Sequence, residues 1–195
     1  MRKIPTIFER DWDGDRSRVL PTPTPGCEWV FAGEGTATRK YDGTCVKIEN
    51  GAYYRRHEVR EGKQIPENFE EISFDEETGK RVGWIPVGDG PEDKWHRDGW
   101  ARSNGADLPD GTYELVGPKI DKNPEDYAEH TLIAHATAED IPLIPRTFEG
   151  LKAALENMDV EGIVFHHPDG RMAKIKKRDF GFKRKTSEPK AKIPG

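Results

Sequence analysis

Apolar positions along this chain fall in short runs punctuated by glycine, proline and acidic residues, and most of them follow the two-residue period of half-buried strands. Cys45 to Ile48 and Ala52 to Arg56 flank Asn50-Gly51, which predicts an antiparallel hairpin whose register the short turn fixes. Gly111 to Gly117 reads as a strand with turn signals at both ends, and Leu132 to Ala136 as another. Val160 to Phe165 and Met172 to Lys176 flank a turn, residues 166–170, that contains Pro-Asp-Gly and predicts a second hairpin. Glu28 to Phe31 reads as a short strand broken by Gly33 and Gly35, and Arg81 to Val87 as one more. Helical patterning is scarcer. Thr147 caps an amphipathic helix that runs through Phe148, Leu151, Leu155 and Met158, with Glu149 in its first turn. Asn123-Pro124-Glu125-Asp126 reads as a second helix start. Residues 1–26 predict an extended arm, because Pro21, Pro23 and Pro25 forbid helix.

Residues 61–109 are rich in Gly, Pro, Asp and Glu, with aromatic islands at Phe69, Phe74, Trp84, Trp95 and Trp100. They read as a loop-rich insertion, and since so long a structureless loop is unusual in a compact domain, further strands are expected there. No internal repeat or domain boundary is visible. The expectation is a single domain with an N-terminal arm (1–26), this insertion (61–109) and a basic tail (183–195).

Composition narrows the class. The 195 residues are 33% hydrophobic and 34% charged, with five Trp, eight Phe and five Tyr to build a core. No apolar run is long enough to span a membrane and the N-terminus has no signal-peptide h-region, so a cytoplasmic protein without membrane attachment is expected. Cys27 and Cys45 show no metal-ligand spacing and read as free thiols in a reducing compartment. His57 and His96, with no partner at metal spacing, read as ordinary histidines. The charge is uneven: residues 171–195 hold ten basic residues against two acidic ones, a net +8 that leaves −13 on the first 170 residues of a chain totalling −5. A basic end on an acidic body points to a polyanionic partner met locally.

The residues with chemistry to offer sit on separate predicted strands. Lys40 precedes the Asp42-Gly43 turn. A lysine nucleophile needs burial or nearby cations to lose its proton, and Arg39, Arg55, Arg56, Lys174 and Lys176 are candidates to supply them. Lys174 and Lys176 alternate with Ile175 and so project from one face. Glu114 interrupts one apolar strand and Glu161 precedes another.

Those residues resemble, in order and rough spacing, the motifs of the covalent nucleotidyltransferases, the superfamily of ATP-dependent DNA and RNA ligases and mRNA capping enzymes. Lys40-Tyr41-Asp42-Gly43 is similar to motif I, Tyr113-Glu114-Leu115-Val116 to motif III, Glu161-Gly162-Ile163-Val164 to motif IV and Lys174-Ile175-Lys176 to motif V. The resemblance covers residues 36–177. Thr38, Thr44, Cys45 and the run Glu114 to Lys119 look most like the single-domain 5′-to-3′ RNA ligases of vertebrates, microbes and phages.

The resemblance implies an α+β fold of two antiparallel β-sheets with flanking helices, the nucleotidyltransferase (adenylation) domain, and the chain after Lys185 is too short for the OB-fold of DNA ligases and capping enzymes. It implies an RNA ligase that joins 5′-phosphate and 3′-hydroxyl ends through AMP carried on Lys40. Lys174 and Lys176 would meet the α-phosphate and favour the neutral form of Lys40. Thr38, Arg39, Asp42, Gly43 and Glu114 would bind the nucleotide. Glu161, with Glu114 assisting, would hold Mg²⁺ or Mn²⁺. Arg55 is preferred to its neighbour Arg56 as the phosphate clamp, and Tyr127 or His130 could stack on adenine. The expected partner is RNA, gripped in part by the basic C-terminal segment, with no obligate protein partner. Trp95, His96, Arg97, Trp100 and Arg102 form either a small aromatic core under a loop, the preferred reading, or a single-strand-binding surface. A guanylyltransferase, another adenylyl-transfer enzyme, or an inactive nucleic-acid-binding module are the rivals.

Overall fold

A computed structural model describes residues 4–184 except Glu77, so the end of the basic tail lies outside the described residues. In chain order the elements are β1 (Phe8–Arg10), β2 (Val19–Pro23), α1 (Glu28–Phe31), β3 (Thr36–Lys40), β4 (Thr44–Glu49), β5 (Ala52–Val59), β6 (Glu70–Asp75), β7 (Lys80–Pro86), α2 (Lys94–Arg102), β8 (Gly111–Val116), β9 (Thr131–Ala134), α3 (Phe148–Asn157), β10 (Gly162–His166) and β11 (Met172–Lys176). The class is α+β. Its strands form three antiparallel sheets where two were expected: β1-β2, β11-β10-β3 and β6-β7-β5-β4-β8-β9. The additional sheet comes from the proline-rich arm, which is extended as expected but folds back on itself as a hairpin. Pro21 and Pro23 are tolerated there because β2 pairs on one side only.

The chain divides into two compact units, Asp42–Thr137 and Ile4–Tyr41 with the described part of Ala138–Gly195. The first unit holds the six-stranded sheet. Val46, Ile48, Tyr113, Leu115, Ile120 and Leu132 form its core, with Tyr53, Trp95 and Trp100 packed against them. Asn50 and Gly51 take left-handed φ of 52° and 73°, which gives the two-residue β4–β5 turn the twist its strands require. The 61–109 stretch contains β6, β7 and α2. Helix α2 can approach the sheet because Gly99 has no side chain: a Cβ there would lie 2.4 Å from Leu115 Cδ1.

The second unit holds the other two sheets, α1 and α3. Thr147 caps α3 as its sequence predicts, its hydroxyl accepting from Gly150 N at 3.2 Å. Leu151 and Leu155 on α3 are fully buried with Ile163, Phe165, Ala173 and Ile175 of β10 and β11. Backbone bonds cover both edges of the three-stranded sheet. Ile7 N donates to Lys174 O and Lys174 N to Pro5 O, while Arg39 N donates to Glu139 O and Ile141 N to Ala37 O.

Two expected elements differ. Glu28–Phe31 is a helical turn, not a strand, because Trp29 and Val30 are both buried; adjacent residues of a strand would point to opposite faces. The predicted helix start at 123–126 is a loop. Asp121, Lys122, Asn123 and Asp126 all have positive φ, outside the right-handed helical region. Asn123 closes this loop through its side chain, which donates to Tyr127 O and accepts from Tyr127 N. Among the described residues no helix is long and apolar enough to cross a membrane, and both cysteines are free.

Candidate functional site

In the second unit, three residues far apart in sequence converge at one end of the three-stranded sheet. Gly162 of β10 pairs with Lys40 of β3 on one side and with Lys176 of β11 on the other. Glu161, the residue before β10, therefore reaches both lysines. Lys40 Nζ donates to Glu161 Oε2 at 2.5 Å, and Lys176 Nζ to Glu161 Oε1. All three side chains are mostly buried, at 19%, 13% and 17% exposure for Lys40, Glu161 and Lys176. Burial raises the Glu161 carboxyl pKa, but the two ammonium groups outweigh it and hold the group below the usual carboxylate range. The close strand spacing depends on Gly162, where a Cβ would lie 2.2 Å from Ile175 O.

The next rank of the same face carries Thr38 and Lys174, both paired with Val164, so Lys40, Lys174 and Lys176 share the face their alternation predicts. The Thr38 hydroxyl is buried and lies 3.0 Å from His166 Nε2. Arg39 occupies the opposite strand face. Its guanidinium pairs with Glu139 and sits 4.9 Å from the centroid of the Tyr41 ring. Arg39 and Thr38 thus both have polar partners within the unit. Lys177, in the basic run, is buried with its amine donating to Glu156 O and Met158 O, a structural use of charge that its neighbours conceal in the sequence.

The first unit gathers a different set. Two carboxylates catch the backbone of the turn that follows Lys40 in the chain: Asp42 N donates to Glu125 Oε1 at 2.8 Å and Gly43 N to Glu114 Oε1 at 3.1 Å. Gly43 admits no side chain, since a Cβ would lie 2.2 Å from Leu115 O. The other Glu114 oxygen lies 3.0 Å from His135 Nε2, and His135 Nδ1 lies 3.0 Å from Thr112 Oγ1. Cys45 pairs with Glu114 across β4 and β8. Burial, with Glu114 adding to it, pushes the Cys45 thiol up to about 11.

Strand register separates Arg55 from Arg56. Val46, a core residue, pairs with Arg55, so Arg55 shares the face packed by α2, and Arg56 shares the face of Cys45 and Glu114. Arg55 Nε stands 2.6 Å from Asp93 Oδ1, whose side chain is 4% exposed. Its Nη1 lies 3.2 Å from His57 Nδ1. Arg55, the arginine preferred as a phosphate clamp, thus has its guanidinium paired with Asp93, while Arg56 lies on the strand face of Cys45 and Glu114. His96 also departs from expectation, because its ring is largely enclosed with neither nitrogen hydrogen-bonded, Nδ1 lying 3.7 Å from Asp93 Oδ1, and burial lowers its pKa.

Of the two residues considered for adenine stacking, His130 is buried with its ring stacked 5.1 Å from Trp95 and its Nδ1 2.6 Å from Asp98. Trp100 packs on Tyr53 at 4.8 Å. Trp95 and Trp100 thus pack against the core of the six-stranded sheet, from a helix and not from under a loop. Sequence reasoning missed Glu125, Asp93 and His135. Their partners lie tens of residues away, and Glu125 sat inside a stretch that read as a helix cap.

A comparison with known proteins finds no family model that matches the chain and no match among curated proteins.

Proposed function

We propose that this chain is an ATP-dependent RNA ligase with the adenylation-domain fold of the covalent nucleotidyltransferases, and that Lys40 carries the AMP. The observation that carries this reading is the meeting of Lys40 and Lys176 on the Glu161 carboxylate, across 121 and 15 residues of sequence. A buried carboxylate clamped by two amines is a costly arrangement for stability alone, since buried ion pairs often contribute less than an apolar packing would. It suits a reaction in which an amine attacks a phosphate among other cations.

In this reading the neutral Lys40 amine attacks the α-phosphorus of ATP. The N–P bond forms as the P–O bond to the β-phosphate breaks, pyrophosphate leaves and the amine proton passes to solvent. Lys176 and Lys174, on the same face, stabilise the negative charge that develops on the α-phosphate. Lys40 must leave its ion pair with Glu161 and lose its proton before it attacks. AMP then passes to an RNA 5′-phosphate, freeing Lys40, and a 3′-hydroxyl displaces AMP to make the phosphodiester.

The residues fit the metal this chemistry uses unequally. Glu161 offers hard carboxylate oxygens at a position that already draws cations, and it would hold Mg²⁺ or Mn²⁺, which supplies positive charge to the phosphates. Glu114 fits a hard cation poorly, because one oxygen holds the Gly43 amide and the other faces a histidine beside a thiol.

The test is a joining assay with two RNA strands, one ending in 3′-hydroxyl and one beginning with 5′-phosphate, in ATP and Mg²⁺. Joined product with an adenylylated 5′-end as intermediate is expected. Efficient joining of strands beginning with 5′-hydroxyl, or no joining and no RNA adenylate, would overturn the proposal.

A further inference from the structure

We propose that Cys45, Glu114 and His135 form a binding site for a thiophilic divalent cation, with Zn²⁺ the best chemical match. Cys45 Sγ, a Glu114 oxygen and a His135 ring nitrogen all lie within 4.8 Å of one another. The donors are one sulfur, one nitrogen and one oxygen. Zn²⁺ takes such mixed sets, with ligand bonds of about 2.0–2.3 Å, and sites with three protein ligands leave a fourth position for water or substrate. Hard cations such as Mg²⁺ prefer oxygen alone and avoid the thiolate.

The scaffold holds two of the donors ready. Cys45 and Glu114 are direct cross-strand partners on one face of β4 and β8. His135 starts the 3₁₀ turn after β9 and brings Nε2 to 3.0 Å from Glu114 Oε2. Its other nitrogen meets Thr112 Oγ1 at 3.0 Å, the outer partner that fixes ring orientation in most histidine metal sites. A hydroxyl both donates and accepts. Thr112 can therefore serve the ring when Nε2–H bonds to Glu114, and also when Nε2 gives its lone pair to a metal. Metal binding replaces the thiol proton of Cys45, which Arg56 also approaches, and the contact between His135 Nε2 and Glu114 Oε2. His135 is 26% exposed, which gives the ion a way in. Glu114 keeps its other oxygen on the Gly43 amide, so the metal and that turn do not compete for one atom.

This site does not depend on the ligase reading, and its test reads the metal directly. Titrating the metal-free, reduced full-length protein with Co²⁺ should produce a near-ultraviolet thiolate-to-cobalt charge-transfer band. Intense visible bands of four-coordinate Co²⁺ should rise with it and saturate at one equivalent. Zn²⁺ should erase both, and a large excess of Mg²⁺ should leave them. Cys45→Ser should lose the near-ultraviolet band, and Cys27→Ala should keep it. Thr112→Val, which alters the outer partner alone, should weaken affinity by ~10–100-fold without changing the saturated spectrum. His135→Asn, at a partly exposed position, should dim the visible bands and guards against misfolding of the cysteine variant, with circular dichroism as the check. A spectrum that stays that of aqueous Co²⁺, bands that persist in Cys45→Ser, or displacement by Mg²⁺ would each overturn the proposal.

Discussion

Replacing Glu161 by glutamine keeps the side chain's shape and removes the negative charge between two ammonium groups. In the wild type, Lys40 and Lys176 each hold one oxygen of that carboxylate, with all three side chains at most 19% exposed. Breaking a fully buried pair from one side costs about 3–5 kcal/mol. The remaining exposure lets water screen part of that, so ~2 kcal/mol is expected here. For a chain of 195 residues this lowers the melting temperature by about 4–8 °C. The pH dependence has a definite sign. The Glu161 carboxyl is held below its ordinary range by the two lysines, against the opposing effect of burial. A group whose folded pKa is depressed stabilises the fold above its unfolded pKa, about 4.3 for glutamate, and that stability is lost as pH falls through the folded value. Thermal unfolding of wild type and Glu161→Gln should therefore differ at pH 7 and converge as the pH is taken below about 4. Equal melting temperatures at pH 7, or a gap that acid does not narrow, would refute the reasoning.

Other outcomes follow from the same geometry. Arg55→Ala strands the buried Asp93 carboxylate and should cost ~3 kcal/mol, lowering the melting temperature by about 6–12 °C, whereas Arg56→Ala should leave it within about 2 °C. Parallel calorimetry of the two variants checks this, and equal melting temperatures would show that the Arg55–Asp93 pair contributes nothing to the fold. Gly162→Ala places a methyl group 2.2 Å from Ile175 O and should push β10 and β11 apart, costing about 1–3 kcal/mol and most of the adenylylation. Full activity in that variant would show that the register between Lys40 and Lys176 is not critical.

The hairpins and α3 were legible because their signals are local. Asn50-Gly51 fixes a turn, Thr147 caps a helix, and alternation around Ile175 puts two lysines on one face. The grouping of Lys40, Glu161 and Lys176 was readable only through motif resemblance, because it depends on strands pairing across more than 100 residues. Helix α2 was hidden by Gly99, a poor helix former that costs ~1 kcal/mol in a helix and is present for its close approach to Leu115. Glu28–Phe31 misled because a consecutive apolar run does not distinguish a buried strand from a buried helical turn. Arg55 and Arg56 could not be told apart without the register of β5, since one residue of slip exchanges the two faces. His135 and Glu125 left no signal at all, as each acts on partners brought close by the fold alone.

The claim at the centre of this account is that Lys40 becomes covalently adenylylated. The most direct measurement is incubation of the purified protein with Mg²⁺ and α-labelled ATP or GTP in parallel. Denaturation, intact mass and peptide mapping follow, with Lys40→Arg as control because arginine keeps the charge beside Glu161 and cannot form the adduct. The account predicts acid-labile label from ATP alone, a mass gain of one AMP, and the adduct on Lys40. Label from GTP, label on another residue, or an unmodified mass in every sample would contradict it.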